Sequence, residues 1–222
     1  FVAGRGAALS LESHSFIRAA ARPLCIPRLV PMHTTASLRV LSLWASVVLS
    51  QSLRLPSRVF RLYGSEAVGS LRTEADMAFP HRLDVWGGIS PLACREEAST
   101  KFGFVLEGPA TLRVDSGPLE QQSFQLQPEM YFSVPAACTI QGGRGFVAER
   151  LGYRGAFSLG GPIEKEGRLR YIDGCTDSLL IPPVKFGDAC LNHLHFPAGI
   201  DQTQHTHPTA RVGMVARGSG VC

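Results

Sequence analysis

The sequence predicts an all-β chain in which a β-barrel has been duplicated, preceded by a leader with little packed structure. Three observations predict it. From residue 79 onward, short apolar runs alternate with turn residues, at the spacing of about 8–12 positions typical of successive antiparallel strands. No segment carries a long stripe of 3.6-residue periodicity, so helix is expected to be a minor component. A stretch near residue 101 also returns, shifted by 110 positions, near residue 211. Such self-similarity marks a repeated structural unit.

The leader comes first in chain order. Residues 1–73 hold nine arginines, no lysine and only two acids, Glu12 and Glu66, for a net +7. Residues 74–222 hold 13 basic and 16 acidic side chains, a net −3, so the overall +4 belongs to the leader. The body therefore carries no basic field, and no nucleic-acid partner is expected. Three readings of the leader stay open. Its Arg-, Ser- and Ala-rich composition is that of an organelle transit peptide. From Met32 it also reads as a secretory signal, with Arg39 before an apolar run at residues 40–49. The third reading is untranslated sequence read through in frame. The apolar run is too short to span a membrane, which takes about 20 residues, so no membrane association is expected. The chain opens on Phe1, as expected of a fragment or a conceptual translation, and internal starts exist at Met32 and Met77. The expected compartment is cytoplasmic, or organellar (mitochondrion or plastid) if the leader is genuine.

The body is expected to divide into a first barrel over residues 74–160 and part of a second over 161–222. Predicted strands cover residues 81–86, 101–107, 110–114, 121–126, 130–134 and 145–153, then 169–172, 190–196 and 211–215. Gly108-Pro109, Gly117-Pro118, Gly142-Gly143 and Gly160-Gly161 punctuate them as turns. The six cysteines, Cys25, Cys94, Cys138, Cys175, Cys190 and Cys222, show no C-x-x-C pair. Scattered reduced thiols are expected rather than a disulfide framework or a cysteine zinc site.

In the repeat, Lys101-Phe-Gly103-Phe-Val105-Leu-Glu-Gly108 falls on Arg211-Val-Gly213-Met-Val215-Ala-Arg-Gly218. The cation, both glycines and the valine coincide. Upstream, Gly88-Ile89 falls on Gly199-Ile200 with a one-residue slip. The second copy carries chemistry that the first lacks. His205 and His207 stand two apart, and an extended strand sends such residues to one face, where two imidazoles can converge on a metal ion.

The pattern Gly199-x5-His205-x-His207-x3-Arg211-x6-Gly218 resembles the first motif of the cupin superfamily, G-x5-H-x-H-x3,4-E-x6-G. Every spacing holds and every residue but one. The resemblance covers roughly residues 79–222. It implies antiparallel jelly-roll barrels of six to eight strands, and with the repeat it implies a bicupin. The departure is Arg211, where the family has a metal-ligating Glu; a guanidinium has no lone pair to offer. The resemblance also implies a third histidine from a second motif. By the repeat offset, this motif would fall roughly thirty residues past Cys222, so the second barrel is expected to be incomplete in this fragment.

In the first copy the corresponding chemistry is missing. Arg95, Glu97 and Lys101 stand at the first-motif ligand positions. Ile140 and Arg144 stand at the second-motif histidine and asparagine. One carboxylate does not make a metal site, so this barrel is expected to be metal-free.

The metal expected at His205 and His207 is a divalent transition metal, Fe, Mn, Ni, Cu or Zn, since imidazole suits them all. The alternative is a vestigial pair. Arg211 has two readings: a bidentate clamp for a substrate carboxylate or phosphate, or a side chain turned outward. Lys101 at the matching position favours the outward reading. His193 and His195 share one strand face and are candidates for a supporting shell around the same cavity; the alternative is a pair of ordinary strand histidines. Two functions follow. One is a metal-dependent enzyme, a dioxygenase-like oxidoreductase or an isomerase acting on a small, anionic molecule. The other is a non-catalytic small-ligand-binding or structural bicupin. The expected partner is a small molecule, with a homodimer left open.

Overall fold

A computed structural model describes residues 7–11, 60–74, 78–205, 207 and 209–220. Most of the expected leader lies outside the described residues. The described chain is all-β, and every strand pairing is antiparallel. Two strands near the start are β1 (Ala7–Leu11) and β2 (Phe60–Tyr63). Next come β3 (Gly69–Glu74), β4 (His81–Gly87), β5 (Leu92–Cys94), β6 (Ser99–Glu107), β7 (Ala110–Val114) and β8 (Ser123–Leu126). They are followed by β9 (Tyr131–Val134), β10 (Cys138–Gln141), β11 (Arg144–Leu151) and β12 (Ser158–Gly160). The last four are β13 (Leu169–Arg170), β14 (Thr176–Ile181), β15 (Leu191–His195) and β16 (Arg211–Val215).

Residues 69–160 form two facing sheets. One has strand order β5-β10-β7-β8, the other β12-β9-β6-β11-β4-β3, and the chain crosses between them repeatedly. Their inner faces meet in one core. Val105, Phe132, Val134 and Val147 come from the six-stranded sheet, and Leu112, Leu126, Cys138 and Ile140 from the four-stranded one. This is a β-sandwich. Each fully buried Val, Leu or Phe contributes about 1.5–3 kcal/mol by leaving water. Gly103 is required on β6 because the Phe132 ring fills the space where its Cβ would stand.

The six-stranded sheet is apolar on both faces. Strand alternation sends Leu83, Val85, Phe104 and Phe146 to the outer face. There they pack on Ile163 and Met214, with Leu180, Val212 and Ala216 half-buried beside them. The second unit thus lies on the back of the first. It consists of the sheet β13-β14-β15 and of β16, which pairs with β1.

Little packed structure is expected before residue 74, and β3 lies at that border, pairing with β4 from Gly69↔Val85 to Glu74↔His81. Strands β5, β10, β12 and β14 were not foreseen. The first three are only three or four residues long, and β14 runs straight into Pro182-Pro183. The expected strand 169–172 is cut to two residues because Ile172–Gly174 closes a 3-10 turn.

The glycines of the repeat behave alike in both copies. Gly88 and Gly199 have φ of 80° and 75°, and Gly108 and Gly218 have 63° and 83°. All four lie in the left-handed region that only glycine enters at little cost.

Candidate functional site

Between the outer face of the six-stranded sheet and the second unit lies a cavity of about 360 Å³. The first unit supplies Phe79, His81, Phe104 and Phe146 to its wall. The second supplies Tyr171, His193, His205, His207 and Arg211.

The loop carrying the His205/His207 pair is tied down at two points. The Thr203 N–H donates to Asp173 Oδ2 at 2.7 Å, and Gln202 Nε2 donates to Cys175 Sγ at 3.4 Å. Asp173 sits in the turn Ile172–Gly174 at φ 56°, a conformation that Asp tolerates better than most residues. The Thr203 amide holds its carboxyl below the usual carboxylate range.

His205 and His207 converge. Their ring centroids lie 4.8 Å apart at an interplanar angle of 78°. His205 Nδ1 lies 2.9 Å from Thr203 O. A carbonyl only accepts, so in the neutral ring Nδ1 carries the proton and Nε2 is an acceptor. That nitrogen faces Tyr171, whose hydroxyl is 3.5 Å away. Tyr171 has no fixed place in the sequence pattern and was not foreseen.

His207 is held differently. Arg211 donates from Nη2 to His207 Nδ1 at 2.8 Å, so in the neutral ring the proton sits on Nε2. Burial, then Arg211 and His205, lowers the pKa of His207 and keeps it neutral. Arg211 Nε is buried without a hydrogen-bond partner. Arg211 is half-buried, and its guanidinium rests on the histidine.

These residues fit a metal in part. His205 is oriented as a ligand, through Nε2. His207 is not, because one nitrogen is taken by Arg211 and the other bears the proton. Among the described residues, no group of three or more His, Cys, Asp or Glu side chains is placed to hold a metal.

His193 lines the cavity, is 4% exposed, and has a buried Nδ1 without a partner. Burial, then His195, lowers its pKa. His195 is half-buried and lies off the cavity wall, although its Nδ1 is also buried and unpartnered.

The first unit's counterpart positions are filled differently. Arg95 and Glu97 are exposed. Lys101, the match of Arg211, is fully buried, which removes the ground for reading Arg211 as turned outward. Its Nζ lies 3.3 Å from Glu149 Oε1 and donates to Ser99 Oγ at 2.7 Å and to Glu96 O. Ser99 Oγ donates to Glu149 Oε1 at 2.6 Å, and Arg82 reaches Glu149 Oε2 at 3.3 Å. Cys94 and Cys138 are directly opposed on β5 and β10, both as free thiols. Contact with the Cys138 thiol, and then burial, pushes the Cys94 thiol far up.

Among the described residues, no helix is long and apolar enough to cross a membrane. No family model, curated protein or solved structure matches the chain.

Proposed function

We propose that the chain is a cupin-type bicupin that takes a small anionic molecule into the cavity between its two units. In this reading the first unit is a metal-free jelly roll and the second holds a divalent transition metal through His205 and His207. The convergence of those two rings at the cavity wall carries the proposal. The paired φ values of the repeat glycines support the duplication. The Gly/His spacing supports the family, and Arg211, with a buried unpartnered Nε, supports the anionic ligand. A metal held there would supply Lewis acidity or oxygen activation to an oxidoreductase or isomerase. Arg211 would orient the ligand's carboxylate or phosphate, and Thr203 O would keep His205 in its ligating tautomer.

Metal analysis of the purified protein tests this. The expected result is about one equivalent of transition metal, lost in His205→Ala and in His207→Ala. Protein without metal after expression in metal-supplemented medium would remove the enzyme reading. A second reading, a non-catalytic small-ligand-binding bicupin, is favoured by one observation: Arg211 occupies the nitrogen that His207 would need.

A further inference from the structure

The cavity has a polar residue on its first-unit wall that the motif does not include. His81 opens β4, and strand alternation puts it on the face of Leu83 and Val85, towards the second unit. It is 6% exposed. Its Nδ1 lies 2.7 Å from Phe79 O, and its Nε2 is buried without a partner. The Phe79 carbonyl can only accept, so Nδ1 bears the hydrogen and the neutral ring presents a bare lone pair at Nε2. The cross-strand partners of His81 are Arg150 on β11 and Glu74 on β3, and Phe104, Phe146, Ile163 and Leu180 give the cavity wall its apolar part. A buried acceptor in a wall that is apolar in part matches a ligand that sets an apolar body on that part and a hydrogen-bond donor on the acceptor.

We propose that His81 Nε2 is a specificity point of this cavity, accepting a hydrogen bond from a hydroxyl or N–H group on the apolar body of the small molecule it holds. The site is thus composite: the unit without the histidine motif selects what reaches the unit that carries it. This rests on the reading that the cavity holds the ligand, and not on any metal being bound.

The test uses two probes of similar body, phenol, which donates, and anisole, which cannot. Binding to the full chain is measured by ligand-observed NMR titration against three variants. His81→Gln keeps an acceptor near the place of Nε2. His81→Asn keeps a donor for Phe79 O but loses that acceptor. His81→Leu loses both. Wild type is expected to bind phenol about tenfold more tightly than anisole. His81→Gln should retain most of the preference, and His81→Asn should lose it with unchanged anisole affinity. Because His81→Asn preserves the local contact, loss of selectivity there cannot be ascribed to unfolding of β4. Equal binding of both probes to wild type, or a preference surviving in His81→Asn, overturns the role of His81 and leaves the cavity reading standing. No binding of either probe to wild type overturns the role of His81, and the anionic-ligand reading is decided separately by the benzoate titration. The metal content is expected to be the same in all three variants, so the metal proposal fails or stands separately.

Discussion

Arg211 shows how one substitution in a motif changes what the site can do. Its guanidinium sits on His207 Nδ1, a nitrogen that the proposed metal would need. An anion that draws Arg211 away would release His207, and by linkage the metal would strengthen anion binding by the same factor. Cobalt(II) affinity should therefore rise about tenfold on adding benzoate to wild type, a coupling within the usual range. Arg211→Gln should bind cobalt tightly with or without benzoate. An affinity unaffected by both changes would show that Arg211 does not gate the pair. Lys101 gives a second residue-scale prediction, because it is fully buried against Glu149. Lys101→Met leaves a buried carboxylate with only one of its two cations, Arg82, at a cost of about 3 kcal/mol. Lys101→Met with Glu149→Leu should cost less than the single change, and urea denaturation of the three proteins decides it. His205, His207 and Arg211 were legible in the sequence because one short segment carries them at fixed spacing. The Lys101–Glu149 pair was not. It joins β6 to β11 in the register Lys101↔Glu149, which exists only after the sheet has formed. Tyr171 and His81 escaped for the same reason, since each reaches the cavity from a strand or turn remote in sequence.

At the scale of elements, the long alternating strands could be read and the short ones could not. The bounds expected for β7 and β16 agree with the structure, because turn residues flank a clear apolar alternation. A three-residue strand such as β5 has too few positions to show a period, and only its partner β10 defines it. The strand β15 also carries a pH response. His193 is buried on it and held neutral by burial and by His195, while Asp177 and Glu164 pull the other way. A free histidine titrates near ~6.5, and the folded value lies below that. Between the two values the unfolded chain binds the additional proton, so stability rises with pH there. The contribution is complete above about pH 6.5 and is lost as pH falls through the folded value. His193→Asn should flatten the loss of Tm between neutral and mildly acidic pH compared with wild type. If both proteins lose the same Tm over that range, His193 is not the titrating group.

For the whole molecule, the decisive feature is a sheet buried on both faces. Its inner face holds Val105, Phe132 and Val147 in the sandwich core. Its outer face holds Leu83, Phe104 and Phe146 against Met214 and Ile163 of the second unit. Arg217 of the second unit also pairs with Glu129 of the first. Strands β4, β6 and β11 therefore belong to both cores, and neither core can open without disturbing the sheet they share. A two-barrel chain whose units met only through a wet, polar interface would unfold in separate steps. Here one cooperative transition is expected by circular dichroism and by calorimetry, with calorimetric and van't Hoff enthalpies equal. Phe146→Ala removes a ring that is 4% exposed from the outer-face cluster, and a buried Phe→Ala change costs about 3–5 kcal/mol. That loss should lower the midpoint of the whole transition, including the signal from Trp86 in the inner core. A two-step melt in which Phe146→Ala moves one step and leaves the Trp86 signal in place would mean that the units fold independently. The cavity between them, which both proposals use, would then lack the fixed walls its chemistry needs.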